Sequence, residues 1–199
     1  MDISFDWGSV GTFLGGLLSG GGIWKVTLDL LSRYDSLKSK KSLSDIAGVY
    51  DAMQDMLYNT SIKRVLVLST HNDGLEIKPG SKLYTSVLYE LVQEPFLSMK
   101  LKYQNIPLDA AYVQMLVQVL ANGKVAANVA NMKPGLLKDI YQIEGVGYSE
   151  IYYLADSKRK KIWYMSIASE QDISNFTPGE NLTISTRVDQ IQKLMKRHA

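Results

Sequence analysis

Arg64-Val-Leu-Val-Leu-Ser-Thr70 is a short apolar run of β-forming residues, and a run of this kind reads as a central strand. Patterned segments flank it on both sides. Before it, Asp45 is placed to cap a helix in which Ile46, Val49, Tyr50, Met53 and Leu57 recur at helical spacing, ending near Asn59. After it, His71-Asn-Asp-Gly74 reads as a turn with Gly74 where positive φ is cheap, and Pro79-Gly80 marks a second break. Lys82–Val92 is rich in Tyr, Thr and Val and reads as a second strand, antiparallel to the first.

Residues 93–107 read as irregular, with Pro95 and Pro107. A helix follows from Leu108, with Tyr112, Met115, Leu116, Val119 and Leu120 on its apolar face and Asn122-Gly123 at its end. Val125–Ala130 reads as a strand, and Pro134 opens a helix through Leu137, Ile140 and Tyr141 that Gly145 ends. Glu150–Ala155 and Lys161–Ala168 read as two more strands around a charged tip, Asp156–Lys160. A last helix is expected from about Ser185 to His198, with Lys193, Lys196 and Arg197 where cations suit the helix dipole. Paired strands with helices between them predict an α+β domain: a largely antiparallel sheet of five to six strands with helices packed on its face.

The amino-terminal part differs in composition. Seven of the fifteen glycines lie in the first 22 residues, and the 17 residues Gly8–Trp24 carry no charge. A membrane-spanning helix takes about 20 apolar residues, so this run stands at the lower limit. Its Gly-x-x-x-Gly spacings suit close helix packing. Three readings stay open: a segment entering or lying on a membrane through Phe13, Leu14, Leu17, Leu18, Ile23 and Trp24; a glycine-rich tail ordered by a partner; or a buried element of the main fold. Residues 23–36 regain helical periodicity, and 37–44 read as a basic, serine-rich linker. The expected division is therefore 1–36, the linker 37–44, and a domain over 45–199. If residues 8–31 meet a membrane, Lys38, Lys40 and Lys41 would meet anionic headgroups and hold the 45–199 domain in the cytoplasm. Otherwise the chain is expected in the cytoplasm or in a virion.

Composition narrows the chemistry. The chain has no cysteine and only two histidines, His71 and His198, which excludes a disulfide scaffold, a cysteine nucleophile and a multi-histidine metal site within one chain. Twenty-two basic against twenty acidic residues leave +2, too balanced for a protein that coats nucleic acid. The cluster Lys158-Arg-Lys-Lys161 reads first as a solvated tip. No phosphate loop, dinucleotide fingerprint or zinc-protease motif occurs.

The order of elements, with the phrases DIAGVYDAMQDML (45–57), RVLVLSTHNDG (64–74), KLYTSVLYELV (82–92) and LLKDIYQIEGVGYSEIYYLAD (136–156), resembles a GAF domain over roughly residues 45–198. The resemblance is to a divergent group with an amino-terminal hydrophobic segment and a His-Asn-Gly-like turn, although Asp73 here separates Asn72 from Gly74. It implies a sensor, dimerisation module or relay without catalysis of its own. The chain has neither the cysteine that attaches a bilin nor an N-K-F-D-E string for cyclic nucleotides, so no cofactor is expected.

Candidate ligand-binding residues are His71, Asn72, Glu90, Tyr103 and Asn105. His71 at a strand end would sit at a pocket mouth with Asn72 and Glu90 if the first two strands pair, and an imidazole titrates near about 6.5. The alternative is a turn histidine bonded to local backbone. Tyr103 and Asn105 lie in the irregular segment that caps the pocket in resembling domains. Tyr84, Tyr89, Tyr112, Tyr141, Tyr152, Tyr153 and Trp163 either line a pocket or pack the sheet. A catalytic role would need a nucleophile that the sequence does not offer. The expectation is a non-enzymatic, homo-oligomeric sensory or protein-interaction module held at a membrane by its amino terminus. The alternative is an assembly component, of a phage or virion, whose glycine-rich arm orders against neighbouring subunits or membrane.

Overall fold

A computed structural model describes residues 21–157, 160–170 and 176–199, with side chains from residue 38 onward. The first element, α1 (Gly21–Asn59), is one continuous helix. It is followed by β1 (Arg64–His71), β2 (Tyr84–Val92), β3 (Ile106–Pro107), α2 (Ala110–Asn122), β4 (Lys124–Asn128), α3 (Leu136–Ile143), β5 (Tyr148–Ser157), β6 (Lys161–Ser169) and α4 (Pro178–Lys196). The six strands form one antiparallel sheet in the order β3-β2-β1-β6-β5-β4. The compact unit that carries the sheet is Asp45–Ala199.

Three runs of residues differ from the sequence reading; one is Ile106–Pro107, which pairs with Tyr84 and Thr85 as a short edge strand instead of staying irregular. Residues 37–44, read from the sequence as a basic linker, are helical. Lysine and leucine are good helix formers, and between Trp24 and Asn59 there is no proline and only one glycine, Gly48, so nothing interrupts the helix. Asp45 accordingly lies inside α1 and caps nothing. Its carboxylate accepts hydrogen bonds from Arg197 Nη1 at 2.6 Å and His198 Nε2 at 3.0 Å instead. Helix α4, in turn, begins seven residues before Ser185. Thr177 and Glu180 form a capping box and Pro178 occupies the first turn, where its missing N–H is no loss.

Alternation along β1 assigns the two faces. Val65 and Val67 belong to one core, with Met165, Ile167 and Leu154 from the neighbouring strands. Met53 and Met56 of α1 and Ile184, Val188 and Ile191 of α4 cover that face. Leu66 and Leu68 point the other way, into a second core with Tyr164 and Ile151, covered by Tyr112, Leu116 and Val119 of α2 and Leu137, Ile140 and Tyr141 of α3. Residues 65–70 of β1 are all buried, as expected of a strand inside two layers of helices.

Helices α1 and α4 are also tied by charge. Asp55 Oδ2 accepts from Arg187 Nε at 2.6 Å, and Glu180 Oε1 accepts from the Ser61 N–H at 2.7 Å. Burial alone would raise the Asp45 carboxyl, but the Arg197 and His198 bonds outweigh it and hold it below the usual carboxylate value. Glu180 is held down at about 2, first by the Thr177 N–H, then by the Thr177 hydroxyl, with Ser61 adding to them.

Two measurements test this closure. Ile191 is fully buried, so Ile191→Ala should cost about 2–5 kcal/mol in urea unfolding with the m-value unchanged. A carboxylate with a depressed folded pKa stabilises fully above its unfolded value and loses that contribution as pH falls through the folded one. The stability gap between the wild type and Glu180→Gln should therefore be full above about pH 4.5 and shrink as pH falls toward about 2.

Candidate functional site

Three polar clusters stand on the face of the sheet that α2 and α3 cover. The first opens β1. Arg64 is 2% exposed and Glu144, just past α3, has its side chain 6% exposed, with Arg64 Nη2 3.2 Å from Glu144 Oε2. The same Nη2 donates to the Leu97 carbonyl at 3.1 Å, and the guanidinium lies over the Phe96 ring, 4.4 Å from its centroid. Tyr103 Oη donates to the other Glu144 oxygen at 3.1 Å, and Lys102 Nζ stands 3.7 Å from it. Burial pulls the guanidinium down from its usual range while Glu144 works against that shift. Burial, and then the Glu144 charge, raise Tyr103.

The second cluster lies mid-sheet. Tyr164 Oη is 2.6 Å from Thr85 Oγ1 and 2.8 Å from Tyr112 Oη, joining β6, β2 and α2 through hydroxyls. Burial pushes Tyr164 up to about 12 and Tyr112 well above the ordinary phenol value. In the third, Tyr141 Oη bonds Ser149 Oγ at 3.0 Å, and Ser149 bonds Ser166 at 3.0 Å. Burial raises Tyr141, with the two serines opposing it. At neutral pH these phenols are neutral hydroxyls that hold one another, and their rings, with Leu116, Leu137 and Ile140, fill the space between sheet and helices.

The five candidate residues do not form one site. His71 Nε2 lies 3.1 Å from Ser86 Oγ, and Ser86 both accepts from the Asn105 N–H at 2.9 Å and donates to Asn105 Oδ1 at 3.3 Å. His71 and Asn105 thus meet through Ser86, on the face shared with Val65 and Val67. Asn72 serves the turn, where Asp73 and Gly74 take φ of 44° and 80°, the pattern of a type I′ turn. Its side chain donates to Ser81 Oγ and the Glu76 carbonyl.

Glu90 and Tyr103 lie on the opposite face, near Arg64. Glu90 accepts from the Ser98 hydroxyl and from the N–H groups of Met99 and Lys100, at 2.5, 2.8 and 3.1 Å. A bulge explains the separation. Tyr84, Ser86 and Glu90 share parity in the sequence, but the β1–β2 register shifts between Val67 and Leu68, so Glu90 pairs with Leu66 and turns away from Ser86. Phe13, Leu14, Leu17 and Leu18 lie outside the described residues, and Ile23 and Trp24 belong to the first turn of α1.

Three site residues are absent from the sequence reading. Arg64 and Glu144 are charges at the margins of apolar segments, where solvent exposure is the default expectation. Glu150, 5% exposed on the α1/α4 face, accepts from Tyr148 Oη, Tyr152 Oη and Lys124 Nζ. The signal for it is a carboxylate alternating with tyrosines at Tyr148-Ser-Glu-Ile-Tyr152. Two grooves open outside α2. One of about 210 Å³ runs between α2 and α3 beside Lys133 and Lys138, and one of about 410 Å³ lies between residues 78–84 and the Pro107–Val113 stretch. No group of His, Asp or Glu among the described residues is arranged to hold a metal ion.

This layering and strand order recur in known structures. Residues over 80% of the chain superpose on 95% of the GAF domain/HD domain protein from Geobacter sulfurreducens, with a TM-score of 0.56 at 10% identity. The GAF domain of a two-component sensor histidine kinase from Bacillus halodurans matches 75% of this chain and 92% of its own, with a TM-score of 0.51 at 12% identity. The fold is GAF-like. A far-red cyanobacteriochrome photoreceptor shares it over 85% of this chain and 98% of its own, with a TM-score of 0.52 at 9% identity. No protein-family model matches the sequence, and no curated protein gives a significant match. The GAF-like domain is thus divergent in sequence while keeping the architecture that its residues 45–198 resemble.

The Arg64–Glu144 pair makes a sharp test within this domain. Glu144→Leu strands a buried guanidinium and should cost about 3–5 kcal/mol in urea unfolding, whereas Arg64→Met with Glu144→Leu should recover at least half of that loss.

Proposed function

We propose that the chain is a non-enzymatic GAF-like interaction module that signals through partners, self-associates, and is held at a membrane by its amino-terminal segment. The observation that carries this reading is the state of the α2/α3 face. Arg64 Nη2, the Glu144 carboxylate and the phenols are engaged with one another or with neighbouring hydroxyls, and the apolar side chains are buried, so most of the chemistry of this face holds its own layers together. Phenols raised by burial supply no base or nucleophile at neutral pH. Recognition then falls to the outside.

Self-association draws support from the helices. Leu43 and Tyr58 on α1 and Leu182 on α4 are 67%, 71% and 69% exposed, although the inward sides of Asp45–Asn59 and of α4 are packed on the sheet. Membrane attachment rests on the uncharged Gly8–Trp24 run and on Lys38, Lys40 and Lys41, all three exposed. Among the described residues no helix is long and apolar enough to cross a membrane. In this reading residues 8–31 attach as a lipid-lying or inserting segment. The domain over 45–199 faces the cytoplasm in this reading, by the basic residues that follow the segment.

Liposome flotation of the full chain tests the attachment. The wild type should float at low and high salt, and a Phe13→Ser, Leu17→Ser, Leu18→Ser variant should stay at the bottom. Equal flotation of both chains, or release of the wild type by salt alone, contradicts attachment by a hydrophobic segment.

A further inference from the structure

Three exposed aliphatic side chains stand on segments that meet at the Arg64–Glu144 pair. Leu97 is 71% exposed and Leu101 92%, both on the strap between β2 and β3, and Ile143, the last residue of α3, is 77% exposed. The strap is fixed to the domain by charge: Arg64 holds the Leu97 carbonyl, Glu90 holds the Met99 and Lys100 N–H groups, and Tyr103 and Lys102 reach Glu144. Ile143 immediately precedes that same Glu144. Leu101 is flanked by Lys100 and by Lys102, whose side chain is 62% exposed, while Glu94 stands at the strap's root.

We infer that this strap and the end of α3 form a second membrane contact, in which Leu97, Leu101 and Ile143 enter the apolar edge of an anionic lipid surface while Lys100 and Lys102 stay among its headgroups. The contact is made by the domain body and does not depend on the amino-terminal segment. Three physical points favour lipid over a protein partner. The leucines protrude from a loop instead of lining a groove, and lipid accepts a protruding side chain without a complementary pocket. Lysines beside them can lay their stems along the interface and keep their ammonium groups at headgroup depth. Part of the strap's backbone is also paired within the protein: Leu97 O, Met99 N and Lys100 N as above, Met99 O from the N–H groups of Lys102 and Tyr103, and Lys100 O from the Gln104 side chain. The paired groups can lie at headgroup depth without being stranded, so only the side chains of Leu97, Leu101 and Ile143 need reach hydrocarbon.

The lack of native cysteine makes the test clean, since an introduced cysteine is the only labelling site. The full chain carrying Leu101→Cys with an environment-sensitive nitrobenzoxadiazole label is mixed with vesicles of phosphatidylcholine alone or with phosphatidylglycerol. The same label at Lys193→Cys, exposed on α4, is the control. The emission of the label at 101 should shift to the blue on anionic vesicles, and that at 193 should not. Adding Leu97→Ser and Ile143→Ser should remove most of the shift. Each of Lys100→Gln and Lys102→Gln should raise the anionic lipid needed for half the shift roughly fivefold. Circular dichroism of each variant checks that these surface changes leave the fold intact. If the chain floats with vesicles while the label at 101 keeps its aqueous emission, this contact is wrong and attachment through residues 8–31 stands. An equal shift on neutral vesicles overturns the assignment of an anionic surface, and a chain that neither floats nor shifts overturns both readings.

Discussion

Strand β1 is buried on both faces, and the rest of the domain follows from that constraint. A strand with apolar side chains of both parities must have a layer on each side, and here those layers are α1 with α4 and α2 with α3. Its neighbours β2 and β6 then bring the same two-sided demand to the rest of the sheet, and Leu154, Met165 and Ile167 meet it on one side as Ile151, Tyr164 and Ala168 do on the other. The first and last helices are locked together over this face by Asp45 with Arg197 and His198 and by Asp55 with Arg187. The chain's beginning and end within the domain therefore close a single layer.

The second face is organised differently, with polar groups inside an apolar shell. An ion pair as buried as Arg64 and Glu144 contributes little net stability compared with apolar packing of the same volume, because both charges leave water. What it does here is geometric. One guanidinium fixes a carbonyl of the strap, a ring of the strap and the residue that ends α3, so three segments distant in sequence share one anchor. The hydroxyl chains of Tyr112, Tyr164 and Thr85 and of Tyr141, Ser149 and Ser166 fix the helices to particular strands in the same manner. A face arranged this way ties the strap that carries Leu97 and Leu101 to β1, β2 and the end of α3.

Much of the fold was legible because it is written in local periodicity. The strand character of residues 64–70 and 161–168, the helix over 45–59, and the apolar face of α2 with its Gly123 end all follow from spacing and turn chemistry. The divergences have physical causes that a linear reading lacks. Asp45 looks like a cap because its distant partners Arg197 and His198 are invisible along the chain. The start of α4 was hidden by Pro178-Gly179, two breakers that the capping box of Thr177 and Glu180 overrides. For the candidate site, a single bulge in β2 was decisive: it moved Glu90 to the face opposite His71, so residues that alternate correctly in sequence do not converge in space. Buried charges such as Arg64 and Glu150 escape a reading in which charge means solvent, since only their tertiary partners make their burial possible.

Native mass spectrometry of the full chain released from detergent tests most directly the proposal that the domain self-associates. The expected result is a polypeptide assembly at an integer multiple, two or more, of the 22.3 kDa chain. A chain that stays monomeric at every concentration sampled would contradict it.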